Sequence, residues 1–227
     1  MRSKIKLSAL LFCHNEGALL LDAIKSMDIN LERAQKQFAN FEYEKVLVVD
    51  SADKSTREYV NRFEKTFSKI IELNTLDLGI NRNIASYESV NPIISFLDAD
   101  DIWGVTWLEK GIDKLLRNIN DVIHPEFNFY FEDKPKLMIS KNYKGNRAGS
   151  QIKQQNLWTS GIITFKETIK MFPFKSKNEL AQGDFEDWEW NRRTLKNNVD
   201  HKIAKNTCHF IRQRKNSLTR IENSLHE

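Results

Sequence analysis

The stretch PIISFLDADD, residues 92–101, joins a nearly continuous apolar run to three carboxylates within its last four residues. Continuous apolar runs of this length are typical of strands in a parallel sheet that is covered on both faces. Three similar runs precede it, at residues 5–13, 45–49 and 69–73. We therefore expect four buried strands in the first hundred residues, the fourth of which ends in acidic residues.

The segments between these runs have the apolar spacing of helices. Residues 55–63 and 81–87 predict two short helices, the first of which could begin at a cap formed by Asp53 or Ser55. Residues 17–38 predict a longer helix with one apolar face: Leu20, Ala23, Ile24, Met27 and Leu31. Strand alternating with helix predicts an α/β fold with a Rossmann-like, mostly parallel central sheet flanked by helices.

The second half of the chain is less regular, and no linker or internal repeat divides the sequence. We therefore expect a single domain over residues 1–227. The elements predicted after residue 101 are a helix over 103–116, a strand over 122–131, a mobile polar loop over 132–155, a strand over 158–165, a helix over 184–195 and an extended segment over 199–211.

The composition is that of a globular protein: 227 residues, 40% hydrophobic and 29% charged. It excludes the collagen-like and disordered classes. No window approaches the ~20 consecutive apolar residues of a membrane span. The two cysteines, Cys13 and Cys208, form neither a metal spacing nor a disulfide framework, which favours a reducing, cytoplasmic location.

The formal net charge of +4 is too small to indicate nucleic-acid binding. Its distribution is uneven, because residues 91–140 hold nine acids and five bases whereas residues 192–227 hold nine bases and three acids. This pattern indicates either a site where cations and phosphates meet or a solvated basic tail.

The carboxylates of Asp98, Asp100 and Asp101 would repel one another unless a cation offsets them. Oxygen ligands without nearby Cys or His favour Mg²⁺ or Mn²⁺, which commonly accompanies a phosphorylated substrate. In an extended stretch Asp98 and Asp100 would point to the same side and could face one ligand. The alternative is that Asp101 caps the next helix while the other two are solvated.

Other polar residues follow the first and second strands, where ligands of open α/β sheets bind. Asp50 could accept a hydrogen bond from a base or ribose hydroxyl, or it could begin an Asx-turn. Arg82 could contact a phosphate or be an exposed helix residue, and nothing local decides between these. His14 is best explained as a local hydrogen-bonding residue.

The stretch GDFEDWEWNRR, residues 183–193, has two interpretations. Asp184 as the N-cap with Asp187 three residues later resembles a capping box, which is a purely structural account. In the functional account, Glu186 or Asp187 beside Trp188 is a general base that takes a proton from an acceptor hydroxyl. The residues of this stretch leave both accounts open.

Five segments in order, LSALLFCHNEG, YEKVLVVDSADKST, DLGINRN, FLDADD and EDW, together resemble the family 2 glycosyltransferases, inverting enzymes with the GT-A fold. The resemblance implies a nucleotide-sugar donor, by default a UDP-sugar, and a saccharide or lipid-linked saccharide acceptor in cell-surface polysaccharide or glycolipid biosynthesis. It implies a nucleotide-sugar half over residues 1–101, an acceptor and catalytic half over 102–211 and a basic tail over 212–227.

The resemblance also assigns residues to the donor. Asn15, Glu16 and Asp50 would hold the nucleotide, with Arg82 near its phosphates. The family's DxD motif corresponds to Asp98 and Asp100, with Asp98 on the ribose or sugar side. The residues implied for Mn²⁺ or Mg²⁺ are Asp98, Asp100, Asp101 and His209.

For the acceptor, the family's ED pair corresponds to Glu186 and Asp187, with Asp187 as the base, and TSGIITF, residues 159–165, lines the acceptor side. IRQRKNSLT, residues 211–219, resembles a late family motif with a histidine near the metal or diphosphate. Arg214 stands at that position and would neutralise the leaving group, with His209 as a second candidate.

Two features depart from the family, and two rival functions exist. DSADKS, residues 50–55, is shorter than the family's usual DDGSTD turn, and the QxxRW motif of polymerising synthases is missing, so transfer of a single sugar is expected. The basic end implies a peripheral contact with anionic lipid at the inner membrane face. The rivals are a magnesium-dependent phosphohydrolase, whose DxD follows the first strand, and a non-catalytic nucleotide- or sugar-binding module.

Overall fold

The computed structural model describes residues 4–142 and 151–214. Its strands are β1 (Ile5–Cys13), β2 (Phe41–Asp50), β3 (Lys69–Leu73), β4 (Ile93–Asp98), β5 (Ile102–Trp103), β6 (Val122–Phe131), β7 (Lys136–Ile139), β8 (Ile163–Phe165) and β9 (His201–Arg212). Its α-helices are α1 (Leu20–Gln37), α2 (Lys54–Phe63), α3 (Leu78–Glu88), α4 (Trp107–Leu115), α5 (Gln151–Gln154), α6 (Lys166–Met171) and α7 (Glu186–Lys196).

The strands form one mixed sheet. Within the described residues its order is β3-β2-β1-β4-β8-β6-β9-β5, with β7 paired to β6. The first four strands run parallel, whereas β8 is antiparallel to β4 and β9 is parallel to β6. The predicted α/β fold with a mostly parallel sheet is therefore confirmed.

The core lies on both faces of the sheet, because alternate residues of a strand point to opposite sides. Leu7, Ala9 and Leu11 of β1 pack with the buried faces of α1, α2 and α4. Leu10 and Phe12 pack with α3, α6 and α7. Covering on both faces explains why these strands are almost wholly apolar and therefore visible in the sequence.

The helix α1 shows the predicted face. All five of its expected apolar residues are buried, and α2 begins at Asp53, whose side chain accepts a hydrogen bond from the Thr56 N–H. Among the described residues, no helix combines the length and the apolarity that a bilayer crossing requires.

Three expectations for the second half are wrong in part. The predicted loop over 132–155 contains β7, which pairs with β6, and the one-turn helix α5; residues 143–150 of that stretch lie outside the described part. The predicted strand over 158–165 is a strand only from Ile163 onward. The predicted helix over 103–116 begins later, because Ile102–Trp103 pairs with β9 as a short strand.

Candidate active site

The site lies at the carboxyl ends of β1, β2 and β4, which meet at one edge because these strands are parallel. The first turn of α7 reaches the same edge from the second half of the chain. The link between the two halves is Arg82 on α3, whose side chain is paired with both Asp98 and Glu186.

Arg82 is almost completely buried, with 1% of its side chain exposed. Its Nη2 lies 3.3 Å from the Asp98 carboxylate, and its Nη1 donates to Glu186. Burial would lower the pKa of Arg82, but Glu186 and Asp98 raise it, so the guanidinium stays charged. Three rings surround it at 5.7–5.9 Å: Phe12, Phe96 and Phe174. Arg82, which was expected near the phosphates, is thus a buried residue that connects two acidic motifs.

The DADD segment is a tight turn, and the expectation of an extended stretch is wrong. The Asp101 N–H donates to the Asp98 carbonyl at 3.0 Å, so the three carboxylates take different directions. Asp98 accepts a hydrogen bond from Ser160 Oγ at 3.1 Å in addition to its pairing with Arg82. Asp100 instead lies 2.7 Å from Arg214 Nη2.

Asp101 points toward β9. Its carboxylate accepts the Arg212 backbone N–H at 2.9 Å and lies 3.3 Å from Nε2 of His209. Burial raises its pKa, and the bond to His209 opposes this effect. Asp101 does not cap α4, whose N-cap is Thr106. Gly161 allows the close approach of His209, since a Cβ there would lie 2.3 Å from His209 Nδ1.

The carboxylates of Asp98 and Asp100 fit a divalent cation. The pKa of Asp100 is raised to about 7 by burial, and also by the charge of Asp101, even though Arg214 opposes this effect. Burial and a neighbouring carboxylate thus make the charge of Asp100 costly, a cost that a cation beside it would offset, and a hard dication is the group that oxygen ligands favour. Within the described part of the chain, no cluster of three or more metal-ligating side chains is preformed. Asp101 and His209, also expected at the metal, lie 3.3 Å apart, and their role at a metal stays a prediction.

Arg214 connects the end of β9 to the loop after β1. Its Nη2 lies 3.2 Å from Glu16 Oε1 as well as 2.7 Å from Asp100. The other Glu16 oxygen accepts the backbone N–H of His14. The Nε of Arg214 is buried and has no hydrogen-bond partner among the described residues. Glu16 and Arg214, expected separately at the nucleotide and at the leaving group, thus lie together beside the turn at Asp98.

Asp50 and Asn15 lie on the β2 side of the same edge. The buried carboxylate of Asp50 accepts hydrogen bonds from Asn81 Nδ2 at 2.8 Å and from the Thr75 N–H at 2.9 Å. Burial alone would raise the pKa of Asp50, but these bonds outweigh it and lower the pKa below its ordinary value. Asn15 Oδ1 accepts the Asp53 N–H at 2.7 Å and so fixes the turn after β2.

The first turn of α7 presents Glu186 and Asp187. The predicted capping box is wrong, because the N-cap is Phe185 and it makes no side-chain bond to the helix. Asp184 lies outside the helix and pairs with Arg192 instead. Glu186 points to Arg82, so Asp187 is the carboxylate of the pair that Arg82 does not hold.

The surroundings of Asp187 favour a base. Its Oδ2 accepts a hydrogen bond from Asn156 Nδ2 at 3.0 Å. Burial and the charge of Glu186 raise its pKa to about 7, against the opposing effect of Arg82. A carboxyl group with a pKa near neutrality is suited to accept a proton at physiological pH.

Four contacting residues were missed by the sequence reasoning: Thr75, Asn81, Asn156 and Ser160. Asn81 directly precedes Arg82, and Ser160 lies in the segment expected on the acceptor side. Asn156 and Thr75 carried no signal, since each contacts its carboxylate across a separation of 25 residues or more.

The chain resembles known proteins in sequence and in structure. The sequence model described as glycosyl transferase family 2 matches residues 8–180, a range that ends before Glu186. A search of curated proteins gave no match.

Solved structures share the fold at low identity. S. aureus TarS 1-349 in complex with UDP-GlcNAc superposes with a TM-score of 0.73 at 15% identity, covering 95% of this chain and 60% of that one. Its complex with UDP gives 0.70 at 16% identity, covering 92% and 61%. GalNAc-T7 with UDP, GalNAc and Mn²⁺ gives 0.68 at 12%, covering 94% and 45%. The chain therefore spans about 60% of the length of the TarS fragment.

The family match extends over well more than half of the sequence and contains the first four of the five motifs. The neighbours in structure are GT-A glycosyltransferases, and the chain shares with them an α/β fold with a mostly parallel sheet flanked by helices. The chain belongs to glycosyl transferase family 2 and has the GT-A fold.

Proposed function

We propose that this chain transfers a sugar from a nucleotide-diphosphate donor, by default UDP, to a hydroxyl of a saccharide or lipid-linked saccharide with inversion, in cell-surface polysaccharide or glycolipid biosynthesis. The observation that carries the proposal is the buried Arg82, which joins Asp98 of the DxD turn to Glu186 beside Asp187. It brings the donor-side and acceptor-side carboxylates to one edge of the sheet. Solved structures of TarS hold UDP-GlcNAc or UDP, and one of GalNAc-T7 holds UDP, GalNAc and Mn²⁺, which supports a nucleotide-sugar donor.

On the donor side, Asp98 and Asp100 would hold Mn²⁺ or Mg²⁺, and Asn15, Glu16 and Asp50 would contact the nucleotide. A bound dication offsets the negative charge of a departing diphosphate. Arg214 supplies a second cation beside Asp100, and its Nε, which has no hydrogen-bond partner among the described residues, would donate to a phosphate oxygen. Asp101 and His209 then serve to fix the turn against β9.

On the acceptor side, Asp187 is the base. The acceptor oxygen attacks the anomeric carbon as the bond from that carbon to the diphosphate oxygen breaks, and the acceptor proton passes to the Asp187 carboxylate, while Glu186 stays paired with Arg82. Asp187 is ionised in an increasing fraction above pH 7, because its pKa lies near that value. It can therefore take up the proton at the pH of the cell.

Inversion follows from the roles of these carboxylates. A single displacement needs one base and no covalent intermediate, whereas a retaining double displacement would need a second carboxylate free to act as nucleophile. Glu186 and Asp98 are both engaged by Arg82. Asp187 is thus assigned to proton transfer, and the product is inverted at the anomeric carbon.

We assign residues 1–101 to the donor and residues 102–211 to the acceptor and catalysis, within one domain. A cytoplasmic location with peripheral contact to a membrane agrees with the free cysteines Cys13 and Cys208. Six basic residues near the end form ion pairs with acids: Arg192, Arg193, Lys202, Lys205, Arg212 and Arg214. A membrane contact of the basic segment 212–227 therefore depends mainly on residues 215–227, which lie outside the described part.

Asp187→Asn tests the base. We expect calorimetry to show nearly unchanged binding of UDP with Mn²⁺, while transfer from a panel of UDP-sugars falls about 10²-fold or more, the low end for a general base. Asp113→Asn, on the exposed face of α4, is the matched control. Unchanged transfer in Asp187→Asn rejects the assigned base, and binding without turnover in the wild type identifies a non-catalytic module.

Asp100→Ala tests the metal ligand. We expect UDP binding in the wild type to weaken when EDTA replaces Mn²⁺, and in Asp100→Ala we expect Mn²⁺ to give no gain in affinity. Equal affinity of the wild-type protein with and without EDTA would contradict the assignment.

A further inference from the structure

We propose that Asn156 is a positioning residue for Asp187: it holds one oxygen of the carboxylate through its side-chain amide, and Asn191 fixes which end of that amide faces the base. This inference rests on the proposed role of Asp187. It adds two residues to which the sequence analysis gave no role, one of them between α5 and β8 and the other on α7.

The geometry is a chain of two hydrogen bonds. Asn156 Nδ2 donates to Asp187 Oδ2 at 3.0 Å, and Asn191 Nδ2 donates to Asn156 Oδ1 at 3.2 Å. Asp187 and Asn191 are four residues apart on α7, so they lie one above the other on the same helix face. Asn156 bridges this pair from outside the helix.

The orientation of the Asn156 amide follows from its donors. The Asn191 side chain donates to Asn156 Oδ1, and the Trp158 backbone N–H lies 3.5 Å from the same oxygen. With the oxygen facing these groups, the NH₂ end must face Asp187. An N–H donor stabilises the ionised carboxylate, which is the form that accepts a proton.

Packing fixes the segment that carries Asn156. The buried ring of Trp158 stacks on His124 and His201, with centroids 4.8 and 4.4 Å apart. His201 Nε2 in turn lies 3.0 Å from the Thr194 hydroxyl on α7. The backbone on the carboxyl side of Asn156 is therefore held at a set distance from the helix that bears Asp187.

The charged and titratable groups that act on Asp187 come from several elements. Glu186 on α7 disfavours its ionised form and Arg82 on α3 favours it. Tyr130 on β6 has a pKa raised to about 12, first by burial and then by the charge of Asp187. Asn156 adds an uncharged hydrogen-bond donor to Asp187, beside one charge that disfavours its ionised form and one that favours it.

Asn156→Leu, which has nearly the same shape without the donor, tests the proposal. We expect kcat to fall about tenfold with little change in the KM for the donor, and the acidic limb of the pH-rate profile to move up by about one unit. Asn191→Leu should move the limb in the same direction by a smaller amount. Gln155→Leu, at an exposed neighbouring position, is the matched control.

A second readout does not need turnover. In protein labelled with ¹³C at aspartate carboxyls, the Asp187 signal is assigned by its loss in Asp187→Asn and titrated with pH. We expect its pKa to rise by about one unit in Asn156→Leu and to stay unchanged in Gln155→Leu. Loss of activity with an unmoved pKa would overturn the proposal, whereas absent transfer in the wild type would overturn the proposed function and leave this titration to decide the role of Asn156.

Discussion

At the level of single residues, the two carboxylates of the ED pair have different tasks because of what they contact. Glu186 is 18% exposed and paired with the buried Arg82, so its charge is compensated. Asp187 accepts a hydrogen bond from a neutral amide and lies next to the charged Glu186. Burial and the charge of Glu186 raise the pKa of Asp187 to about 7. Contact with one arginine therefore separates a structural acid from a base.

The raised pKa of Asp187 predicts the pH dependence of transfer. Because the base acts only when ionised, the rate should fall about tenfold per pH unit below pH 7 and level off above it. Initial rates at saturating donor and acceptor between pH 5.5 and 8.5 measure this. A rate that is constant over this range would contradict a base with this pKa.

Replacing Arg214 should change the affinities for two ligands in opposite directions. Arg214→Ala removes a cation 2.7 Å from Asp100, so Mn²⁺ alone should bind more tightly. UDP should bind about tenfold or more weakly, since a charged hydrogen bond to phosphate is lost.

Calorimetry of each ligand separately checks these two changes. Arg214→Lys should keep part of the UDP affinity. Arg117→Ala, just after α4 and with a side chain that is 70% exposed in the wild type, should change neither. A parallel loss of both affinities in Arg214→Ala would show that the arginine supports the fold of the corner and does not act on phosphate.

At the level of elements, α3, β4 and α7 are connected through the single guanidinium of Arg82. Removing one partner of a buried ion pair leaves the other charge uncompensated and costs about 3–5 kcal/mol. Asp98 and Glu186 keep some exposure, 24% and 18%. We therefore expect Arg82→Met to lower the free energy of unfolding by about 3 kcal/mol, the low end of that range.

Urea denaturation at pH 7.5 measures this loss. Arg117→Met, which breaks an exposed pair with Asp113 one helical turn away, should cost no more than about 0.5 kcal/mol. If both variants lost the same small amount, the buried connection would not stabilise the arrangement of these elements.

The elements also show what the sequence could predict. The strand β1 was predicted residue for residue, because a strand buried on both faces is continuously apolar. The expected strand over 158–165 was too long. Trp158 and Ile162 are buried in clusters that also contain Leu195 and Trp190 of α7, and the strand begins only at Ile163. β7 was missed because only four residues, mostly exposed, pair at the edge of the sheet.

The acidic residues of the site could be found in the sequence, but their partners could not. Asp98 and Asp187 belong to recognisable motifs at the ends of elements. The contact between Arg82 and Glu186 joins residues 104 positions apart, and no local pattern encodes which carboxylate an arginine meets. The turn at Asp98 likewise depends on β9, whose backbone binds Asp101.

At the level of the whole molecule, buried ionisable groups respond to pH in opposite directions. Burial lowers the pKa of His201 to about 3 and that of His124 well below its ordinary value. Between about pH 3 and 6.5 the unfolded chain therefore binds more protons than the folded protein at these histidines. Stability from this pair is fully present above pH 6.5 and is lost as the pH falls.

Asp187 acts in the other direction. Its folded pKa of about 7 exceeds its ordinary value, so the folded protein binds more protons between about pH 4 and 7, and stability from this group rises as the pH falls. Wild-type stability should consequently fall less steeply toward acid than the histidines alone would dictate. Replacing either group should therefore leave the pH dependence of stability that the other group contributes.

We therefore predict that Asp187→Asn is more stable than the wild type at pH 8, where a buried charge has been removed, and that its advantage shrinks as the pH falls toward 4. His201→Gln should be less stable than the wild type at pH 8, because it loses ring stacking on Trp158, and this difference should shrink toward pH 4.5. Urea unfolding at half-unit pH steps measures both differences. Differences that stay constant with pH would show that neither residue titrates between the folded and unfolded states, and the assignment of Asp187 as a near-neutral base would fail with them.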